Sequence, residues 1–261
     1  MSSRPLVLVT GAARRLGRAI ALDLAAHGFD VAVHHRDSAV DAAQTVLQAR
    51  ALGAAAEAFR ADLADEAGCR ALVPAVLARF GRLAAIVNNA STFEEDNAQS
   101  FSYAAMERHA RANTGPAVLL SQALHHHAEA MKTPGCVVNL LDQKLWNMNP
   151  DHFSYTLSKA ALQAATVMLA QALAPRLRVC GVAPGITLPS GPMSEAEFAE
   201  AHRLTPLGRS STPDDIARAV RFLIESPAIT GSTLLVDGGQ HLASQPRDVV
   251  HLVNIESERR P

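Results

Sequence analysis

The chain has 261 residues, with 24 basic and 25 acidic side chains, a formal net charge of −1 and 48% hydrophobic residues. This length suits one large α/β domain, and the near-neutral charge argues against non-specific binding of nucleic acid. No apolar run reaches the roughly 18 residues that a membrane-spanning helix needs, and no basic, apolar leader opens the chain. We therefore expect a soluble, uncleaved protein, and its three separated cysteines fit a reducing cytoplasm.

Strand-like and helix-like segments alternate along the chain. Buried strands are predicted at 6–10, 30–35, 55–60, 84–88, 136–141, 177–183 and 232–236. Helices are predicted at 17–27, 38–52, 65–80, 102–131, 152–174 and 213–225, with Pro116 expected to kink or restart the fourth. This alternation predicts a doubly wound parallel sheet with helices on both faces, in a single domain over residues 1–261.

Two further segments have no predicted strand or helix. Residues 184–212 form a long irregular region rich in Pro, Gly and Ser, which we predict to be a substrate lid. Residues 240–261 are a polar tail, expected to cover a neighbouring subunit or to fray. The run His125–His127 predicts no metal site, because successive helical side chains point about 100° apart.

The stretch Leu6–Gly17, LVLVTGAARRLG, joins the first strand to the first helix through a glycine-marked turn. Backbone N–H groups and the helix dipole at such a junction bind an anion, commonly the pyrophosphate of a dinucleotide. Arg15 stands where the strict G-x-G-x-x-G pattern has its middle glycine. The predicted phosphate-binding residues are Gly11, Arg14, Arg15, Leu16 and Gly17.

Polar residues at the end of the second strand favour NADP over NAD. Arg36 can bind a 2′-phosphate through two N–H groups, Ser38 adds a hydroxyl, and His34 and His35 stand where an NAD site usually has an acid. Asp37 keeps the NAD alternative open, since it could accept from a ribose hydroxyl. After the third strand, Asp62 and Leu63 are candidates for the adenine site, with a helix cap as the alternative for Asp62.

The predicted chemistry lies in residues 142–159. Tyr155 and Lys159 are four residues apart and therefore share one face of a helix. A lysine beside a phenol stabilises the phenolate, so we expect the pKa of Tyr155 to be lowered and the phenol to serve as a general acid. Asp142 follows the fifth predicted strand and lies thirteen residues before Tyr155.

Together these motifs resemble the short-chain dehydrogenase/reductase family. Its pattern is matched in order by Thr10-Gly11 with Gly17, Asn88-Asn89-Ala90, Asn113, Tyr155 with Lys159, Pro184-Gly185 and Asp237-Gly238-Gly239. The resemblance implies a seven-stranded Rossmann-type sheet, a nicotinamide cofactor and a homotetramer. It implies Tyr155 as proton donor, Lys159 as its tuner and ribose ligand, and Asn113 as the holder of a water in a proton relay. It also places cofactor contacts at Asn89, Ala90, Ser91, Pro184, Gly185 and Thr187.

Two departures from the common pattern resemble the pteridine reductases. Asp142 stands where most members have serine, and a carboxylate there suits a nitrogen heterocycle better than a ketone. Arg15 can bridge the cofactor phosphates and a polar substrate. The run Asn89-Ala90-Ser91-Thr92-Phe93 matches the pteridine reductases, which implies that Phe93 stacks on a pterin ring and that Ser91 contacts it.

The resulting prediction is an NADPH-dependent reductase of a pterin or dihydrofolate C=N bond. Its substrate-binding residues are Arg15, Ser91, Phe93, Asp142 and Tyr155, and closure over the site is expected from Trp146 and from residues 188–205, with Met193 and Leu204. Two alternatives stay open: a carbonyl reductase acting on oxoacyl or sugar substrates, and a non-catalytic dinucleotide sensor.

Overall fold

A computed structural model of the chain describes residues 4–189, 193–249 and 251. Its centre is a parallel sheet of seven strands in the order β3-β2-β1-β4-β5-β6-β7. The strands are β1 Leu6–Val9, β2 Asp30–His35, β3 Ala56–Arg60, β4 Ala85–Asn88, β5 Gly135–Leu140, β6 Leu177–Pro184 and β7 Thr233–Val236. The predicted strands and the Rossmann-type architecture are confirmed, with small differences at strand ends.

Helices cover both faces of this sheet. They are α1 Arg15–Ala26, α2 Ala39–Ala51, α3 Glu66–Phe80, α4 Tyr103–His109, α5 Gly115–Met131, α6 Phe153–Ala172, α7 Glu195–Arg203 and α8 Pro213–Glu225. No described helix is both long enough and apolar enough to cross a membrane.

The strands are apolar throughout because each packs on both faces. In β1, Val7 and Val9 pack towards α1, α2 and α8, whereas Leu6 and Leu8 pack towards α3 and α5. All four side chains are completely buried. Such double burial selects a continuous hydrophobic run over the alternating pattern of a half-exposed strand.

The predicted helix 102–131 is interrupted. A π-helical turn over Ala110–Thr114 separates α4 from α5, and Pro116 lies in the first turn of α5. Proline is tolerated there because its missing N–H has no partner within the helix. The expected break near Pro116 is confirmed, and the wider turn points Asn113 into the protein, where 4% of it is exposed.

Strand order reverses between β1 and β4, which pair with each other. On its other side β1 pairs with β2, and β4 pairs with β5. In an open parallel sheet this reversal opens a crevice at the carboxyl ends of the strands, where ligands bind. The side chains predicted to carry function follow those same strand ends.

Candidate active site

Two cavities lie along the carboxyl edge of the sheet and share Asn89 and Ser91 in their walls. The first, of about 330 Å³, includes the predicted residues Arg15, Leu16, Asn89, Ser91, Phe93, Asp142, Tyr155, Lys159, Pro184, Gly185 and Thr187. The second, of about 650 Å³, includes Gly11, Arg14, His34, His35, Arg36, Ser38, Asp62, Leu63, Asn89, Ala90 and Ser91. Of the predicted site residues, Gly17 and Asn113 line neither cavity and lie behind these walls.

The turn between β1 and α1 has the properties of an anion site. Gly11 has a φ of +63°, and a Cβ on Gly17 would lie 2.3 Å from the Gly11 carbonyl oxygen. Among the described residues no side chain caps the start of α1 at Arg14, and the first turn of this helix contains no acid. The free N–H groups and the positive end of the helix dipole therefore fit a pyrophosphate.

His34 belongs to the framework of this turn. The Gly11 N–H donates to its Nδ1 at 3.0 Å, so its Nε2 carries the proton and donates to the Ala61 carbonyl oxygen at 3.1 Å. Burial lowers the pKa of His34 to about 4, which keeps the imidazole neutral. Because both ring nitrogens already have partners, His34 positions the phosphate turn instead of offering a free group to a cofactor.

Basic side chains surround the end of β2. The guanidinium of Arg14 donates to Ser38 Oγ and pairs with Asp41 at 3.0 Å, and Arg36 pairs with Asp37 at 2.7 Å. These groups are exposed, so ionic strength weakens their attraction and an incoming phosphate can exchange with the aspartates. Asp37 is thus occupied by arginine, which disfavours its alternative role as the acceptor of a ribose hydroxyl.

Asp62 makes a local contact. Its Oδ1 accepts from the Ala64 N–H at 3.0 Å, whereas Asp65 caps α3 by accepting from Gly68 at 2.9 Å. The helix-cap alternative for Asp62 is therefore wrong, and its carboxylate lines the second cavity beside Leu63.

The half-buried Asp142 meets the buried Tyr155 and Lys159 at the first cavity. Tyr155 Oη donates to Asp142 Oδ2 at 2.8 Å, and the Lys144 backbone N–H donates to Asp142 Oδ1 at 2.9 Å. Lys159 Nζ lies 5.7 Å from the Tyr155 ring centroid and donates to the Leu140 carbonyl oxygen at 2.7 Å. Lys159 is thus near the phenol of Tyr155, but its ammonium group donates to the end of β5.

The pKa values in this group depart from the prediction. Burial, together with the neighbouring carboxylate of Asp142, raises the pKa of Tyr155 well above its ordinary value. The expectation that Lys159 lowers this pKa is wrong for this arrangement. Burial also raises the pKa of Asp142 and lowers that of Lys159 to about 8. Tyr155 therefore keeps its proton and acts as a donor to Asp142.

Asn113 supports the wall of the site. Its Oδ1 accepts from the Thr92 N–H at 2.7 Å and from Ser91 Oγ at 3.1 Å, and its Nδ2 donates to the Thr92 carbonyl oxygen and to Ser158 Oγ. A carboxamide has four such bonds to make, so no capacity remains for a water. The water-holding role predicted for Asn113 is corrected to that of fixing the loop Ser91–Phe93.

Phe93 stands at the mouth of the first cavity with 44% of its surface exposed. Its ring stacks on His152 at a centroid distance of 4.0 Å and meets the edge of Tyr155 at 4.7 Å. These two contacts fix the ring while leaving apolar surface uncovered. An exposed, immobilised aromatic ring beside a buried acid is suited to stacking on a flat substrate.

The chain after β7 closes the first cavity, which the sequence did not indicate. Gln240, Gln245, Asp248 and Val249 line it, as do Gln143 and Lys144 after Asp142. The expectation that residues 240–261 fray is wrong for residues 240–249, which pack on their own subunit, and their covering of a neighbour stays a prediction. Residues 250 and 252–261 of this predicted tail lie outside the described residues. No local pattern pointed to this segment, because its partners are about a hundred positions away.

The lid prediction is partly corrected. Residues 184–212 are not irregular throughout, since α7 begins at a capping box in which Ser194 and Glu197 exchange hydrogen bonds. Met193 lines the first cavity, and Arg15 Nη2 donates to the Pro189 carbonyl oxygen at 2.8 Å. Trp146 and Leu204, expected to close over the site, do not line it. Residues 190–192 of the predicted closing segment lie outside the described part of the chain.

Comparison with known proteins agrees with this architecture. Residues 11–241 match a family model described as enoyl-(acyl carrier protein) reductase. An uncharacterized oxidoreductase of Methylorubrum extorquens is 34% identical over 243 residues, which cover 90% of this chain and 96% of that protein. The chain belongs to the short-chain dehydrogenase/reductase family. As a member of that family, this short-chain dehydrogenase/reductase is an oxidoreductase.

Two further relatives differ in their described activities. The FolM alternative dihydrofolate reductase 1 from Brucella canis, solved in complex with NADP, superposes with a TM-score of 0.87 at 41% identity, covering 95% of this chain and 98% of that one. The 3-oxoacyl-[acyl-carrier-protein] reductase FabG of Staphylococcus aureus is 31% identical over 240 residues, 90% of this chain and 97% of that protein. This short-chain dehydrogenase/reductase is thus similar to an alternative dihydrofolate reductase and to a 3-oxoacyl-[acyl-carrier-protein] reductase.

Proposed function

We propose that this enzyme uses NADPH to reduce a C=N bond in a pterin- or dihydrofolate-type heterocycle. The observation that carries the proposal is the 2.8 Å hydrogen bond from Tyr155 Oη to Asp142 Oδ2 within the first cavity. An ionised carboxylate beside a ketone would repel the negative charge that develops on its oxygen. The same carboxylate accepts hydrogen bonds from ring N–H and amino groups, and its protonated form can supply a proton to a ring nitrogen.

The cofactor site is assigned to the turn Gly11–Gly17 and to the second cavity. The uncapped start of α1 fits the pyrophosphate, and the arginines around Ser38 fit a 2′-phosphate. Bound NADPH supplies a hydride to the carbon of the C=N bond. Pro184, Gly185 and Thr187 lie in the wall of the first cavity, where we place the nicotinamide.

Cofactor preference provides a direct test of this assignment. We expect Arg36→Ala to raise the Kd for NADPH by about tenfold while leaving the Kd for NADH nearly unchanged, since a single charge-assisted contact contributes about 1.5–3 kcal/mol. Both constants are measured by quenching of protein fluorescence. Equal weakening for both cofactors would contradict a 2′-phosphate site at this position.

The protein's own groups hold and move the proton. The nitrogen of the C=N bond must gain one proton as its carbon is reduced, and Asp142 and Tyr155 are the acids in the cavity wall. The raised pKa of Asp142 allows its carboxyl group to hold a proton at a higher pH than an exposed aspartate does. Lys159 stays cationic at neutral pH and offsets part of the negative charge of Asp142.

Substrate binding uses Phe93 and the polar groups near it. We place the heterocycle against the uncovered surface of Phe93, with Ser91 and Arg15 in the same wall. Offset stacking on an aromatic ring contributes about 0.5–1.5 kcal/mol beyond burial. Similarity to the Brucella canis enzyme, which is described as a dihydrofolate reductase, supports the substrate class.

A carbonyl reductase is the second candidate, because the FabG protein of Staphylococcus aureus is a 3-oxoacyl reductase and matches nearly the whole chain. A non-catalytic dinucleotide sensor is the third. The assembled group of Asp142, Tyr155 and Lys159 argues against a sensor, since a sensor needs no acid at the nicotinamide end.

One assay separates these candidates. NADPH oxidation at 340 nm is followed with dihydrobiopterin, with dihydrofolate, and with a panel that contains an acetoacetyl thioester and simple sugars. We expect turnover of at least one of the two dihydro heterocycles. Turnover of carbonyl substrates alone would replace the proposal by the second candidate. NADPH binding without turnover of any compound would favour the sensor.

Quaternary structure and compartment complete the proposal. We propose a homotetramer that works in the cytoplasm. Tyr103 on α4 and Met168 on α6 are 81% and 68% exposed, as expected of apolar side chains in subunit contacts. Cys69, Cys136 and Cys180 are buried and unpaired, which suits a reducing compartment. Light scattering coupled to size exclusion checks the assembly, and a mass of one chain would refute it.

A further inference from the structure

The segment that closes the first cavity is fixed by an aspartate from another part of the chain. The carboxylate of Asp151 accepts from Arg247 Nε at 2.8 and 2.9 Å and from the Asp248 backbone N–H at 2.7 Å. Lys144 Nζ donates to the Asp151 carbonyl oxygen at 2.6 Å and to Asp248 Oδ2 at 3.1 Å. Lys144 is only 3% exposed. These contacts hold the Asp248 side chain in the wall of the cavity.

Three acceptor groups thereby meet at one cavity. Asp142, Gln143 and Asp248 all line it. Gln143 is 8% exposed, and its Oε1 has no hydrogen-bond partner among the described residues. A buried carbonyl oxygen without a donor is costly, so it points to a ligand that supplies an N–H group.

We propose that Asp248 and Gln143 are specificity-determining residues that bind the amino-substituted edge of the heterocycle. The inference rests on the proposed function and deepens it. An amino group on the ring supplies the N–H donor that the orphaned Gln143 oxygen lacks. The Asp248 carboxylate, which already accepts from Lys144, is a further acceptor for such N–H groups. An oxo group in the same position would turn lone pairs towards the Asp248 carboxylate and towards the Gln143 oxygen. The site therefore favours an aminopyrimidine-type ring over its dioxo analogue.

Binding of two isosteric pteridines tests this preference without relying on turnover. The probes are 2,4-diamino-6,7-dimethylpteridine and 6,7-dimethyllumazine, which carries oxo groups at the same two positions. Titration calorimetry is performed on the protein saturated with NADPH. We expect the wild type to bind the diamino compound at least tenfold more tightly, because a hydrogen bond to a charged acceptor is worth about that factor.

Two variants probe the acceptors separately. Asp248→Asn replaces the carboxylate by an amide that can still accept from Lys144, and we expect the preference to fall to threefold or less. Gln143→Leu removes the orphaned oxygen without touching the Asp151 contacts, and we expect a smaller fall in the same direction. The matched control is Asp214→Asn, the same change on the exposed first turn of α8, which should leave the preference unchanged.

The outcomes separate this inference from the proposed function. The inference is overturned if the wild type does not bind the diamino compound more tightly than the lumazine. It is also overturned if both Asp248→Asn and Gln143→Leu keep the wild-type preference. If Asp248→Asn does not fold, as judged from NADPH binding, Gln143→Leu decides alone. A wild type that reduces dihydrobiopterin yet shows no preference refutes the inference only. Preference without reduction of either dihydro heterocycle refutes the proposed reaction and keeps the acceptor site.

Discussion

Replacing Asp142 by serine gives this chain the residue that most members of the family carry at that position. The change removes the acceptor of the 2.8 Å hydrogen bond from Tyr155 Oη and takes a half-buried carboxylate out of the cavity wall. A serine hydroxyl can still accept from the Lys144 backbone N–H, as Asp142 Oδ1 does now. The local turn after β5 is therefore expected to persist while the chemistry changes.

The size of the effect follows from the group that is lost. A hydrogen bond to a charged partner contributes about 1.5–3 kcal/mol, and each 1.4 kcal/mol is a factor of ten. With one such hydrogen bond between the Asp142 carboxyl group and the substrate, the serine variant should show a kcat/KM for a dihydropterin that is about 10- to 100-fold lower. Loss of the proton donor adds to this in kcat. NADPH binding should change by less than threefold, since the phosphate and adenosine parts of the cofactor are placed at the second cavity, which Asp142 does not line.

The pH dependence supplies a second, independent signature of Asp142. Burial raises the pKa of this carboxyl, so the proton-donating form is lost as the pH rises through that raised value. We expect kcat for dihydropterin reduction to fall with rising pH in the wild type and to show no such fall in Asp142→Ser. Stopped-flow oxidation of NADPH from pH 5 to pH 9 measures both profiles.

Asp142→Asn is the matched control, because asparagine keeps the shape of the side chain and removes only its acid group. The amide can accept from Tyr155 but cannot release a proton at these pH values. We expect it to lose dihydropterin turnover as the serine variant does while binding NADPH normally. Wild-type rates in either variant, or an unchanged pH profile in the serine variant, would refute the role assigned to Asp142.

Three further changes test other parts of the site. Tyr155→Phe removes one hydrogen bond to the Asp142 carboxylate and should lower kcat by about 10- to 100-fold with little change in NADPH binding, as single-turnover kinetics would show. Gly17→Ala should weaken NADPH at least about tenfold, because its Cβ would lie 2.3 Å from a carbonyl oxygen, whereas at Gly115, the control, the nearest atom is 3.6 Å away. Burial lowers the pKa of His34 to about 4, so between pH 6.5 and pH 4 the unfolded chain binds a proton that the folded chain does not. The free energy of unfolding should therefore fall by about 3 kcal/mol as the pH is lowered over this range. Urea unfolding of wild type and His34→Gln at both pH values measures this, and equal losses would contradict it.

Much of the fold was predictable because its determinants are local. Continuous apolar runs mark the doubly buried strands, and the parallel topology places every strand end at one edge. Asp142, Tyr155 and Arg36 could thus be assigned to one crevice from their places after strands and on one helix face. Their assembly around two cavities agrees with that prediction.

What the sequence missed depends on long-range contacts. Asp248 reaches the cavity because Arg247 pairs with Asp151, 96 positions earlier, and neither residue stands in a recognisable pattern. The direction of the Tyr155 pKa was missed for a similar reason. Spacing shows that Lys159 is near the phenol, but burial and the exact neighbour of the hydroxyl decide the outcome, and that neighbour is a carboxylate.

The two raised pKa values favour Asp142 over Tyr155 as the proton donor of the proposed reaction. A phenol whose pKa lies well above its ordinary value is a weak acid at neutral pH, so Tyr155 alone would deliver a proton slowly. Asp142 is a far stronger acid, and its raised pKa brings it closer to neutral pH. In the proposed reaction, protonated Asp142 donates from Oδ1 to the bare nitrogen of the C=N bond, while its Oδ2 accepts from Tyr155. The proton passes to that nitrogen as the hydride reaches the carbon, and Tyr155 then stabilises the carboxylate that remains. This division of work explains why an aspartate is useful here only if the tyrosine is kept beside it.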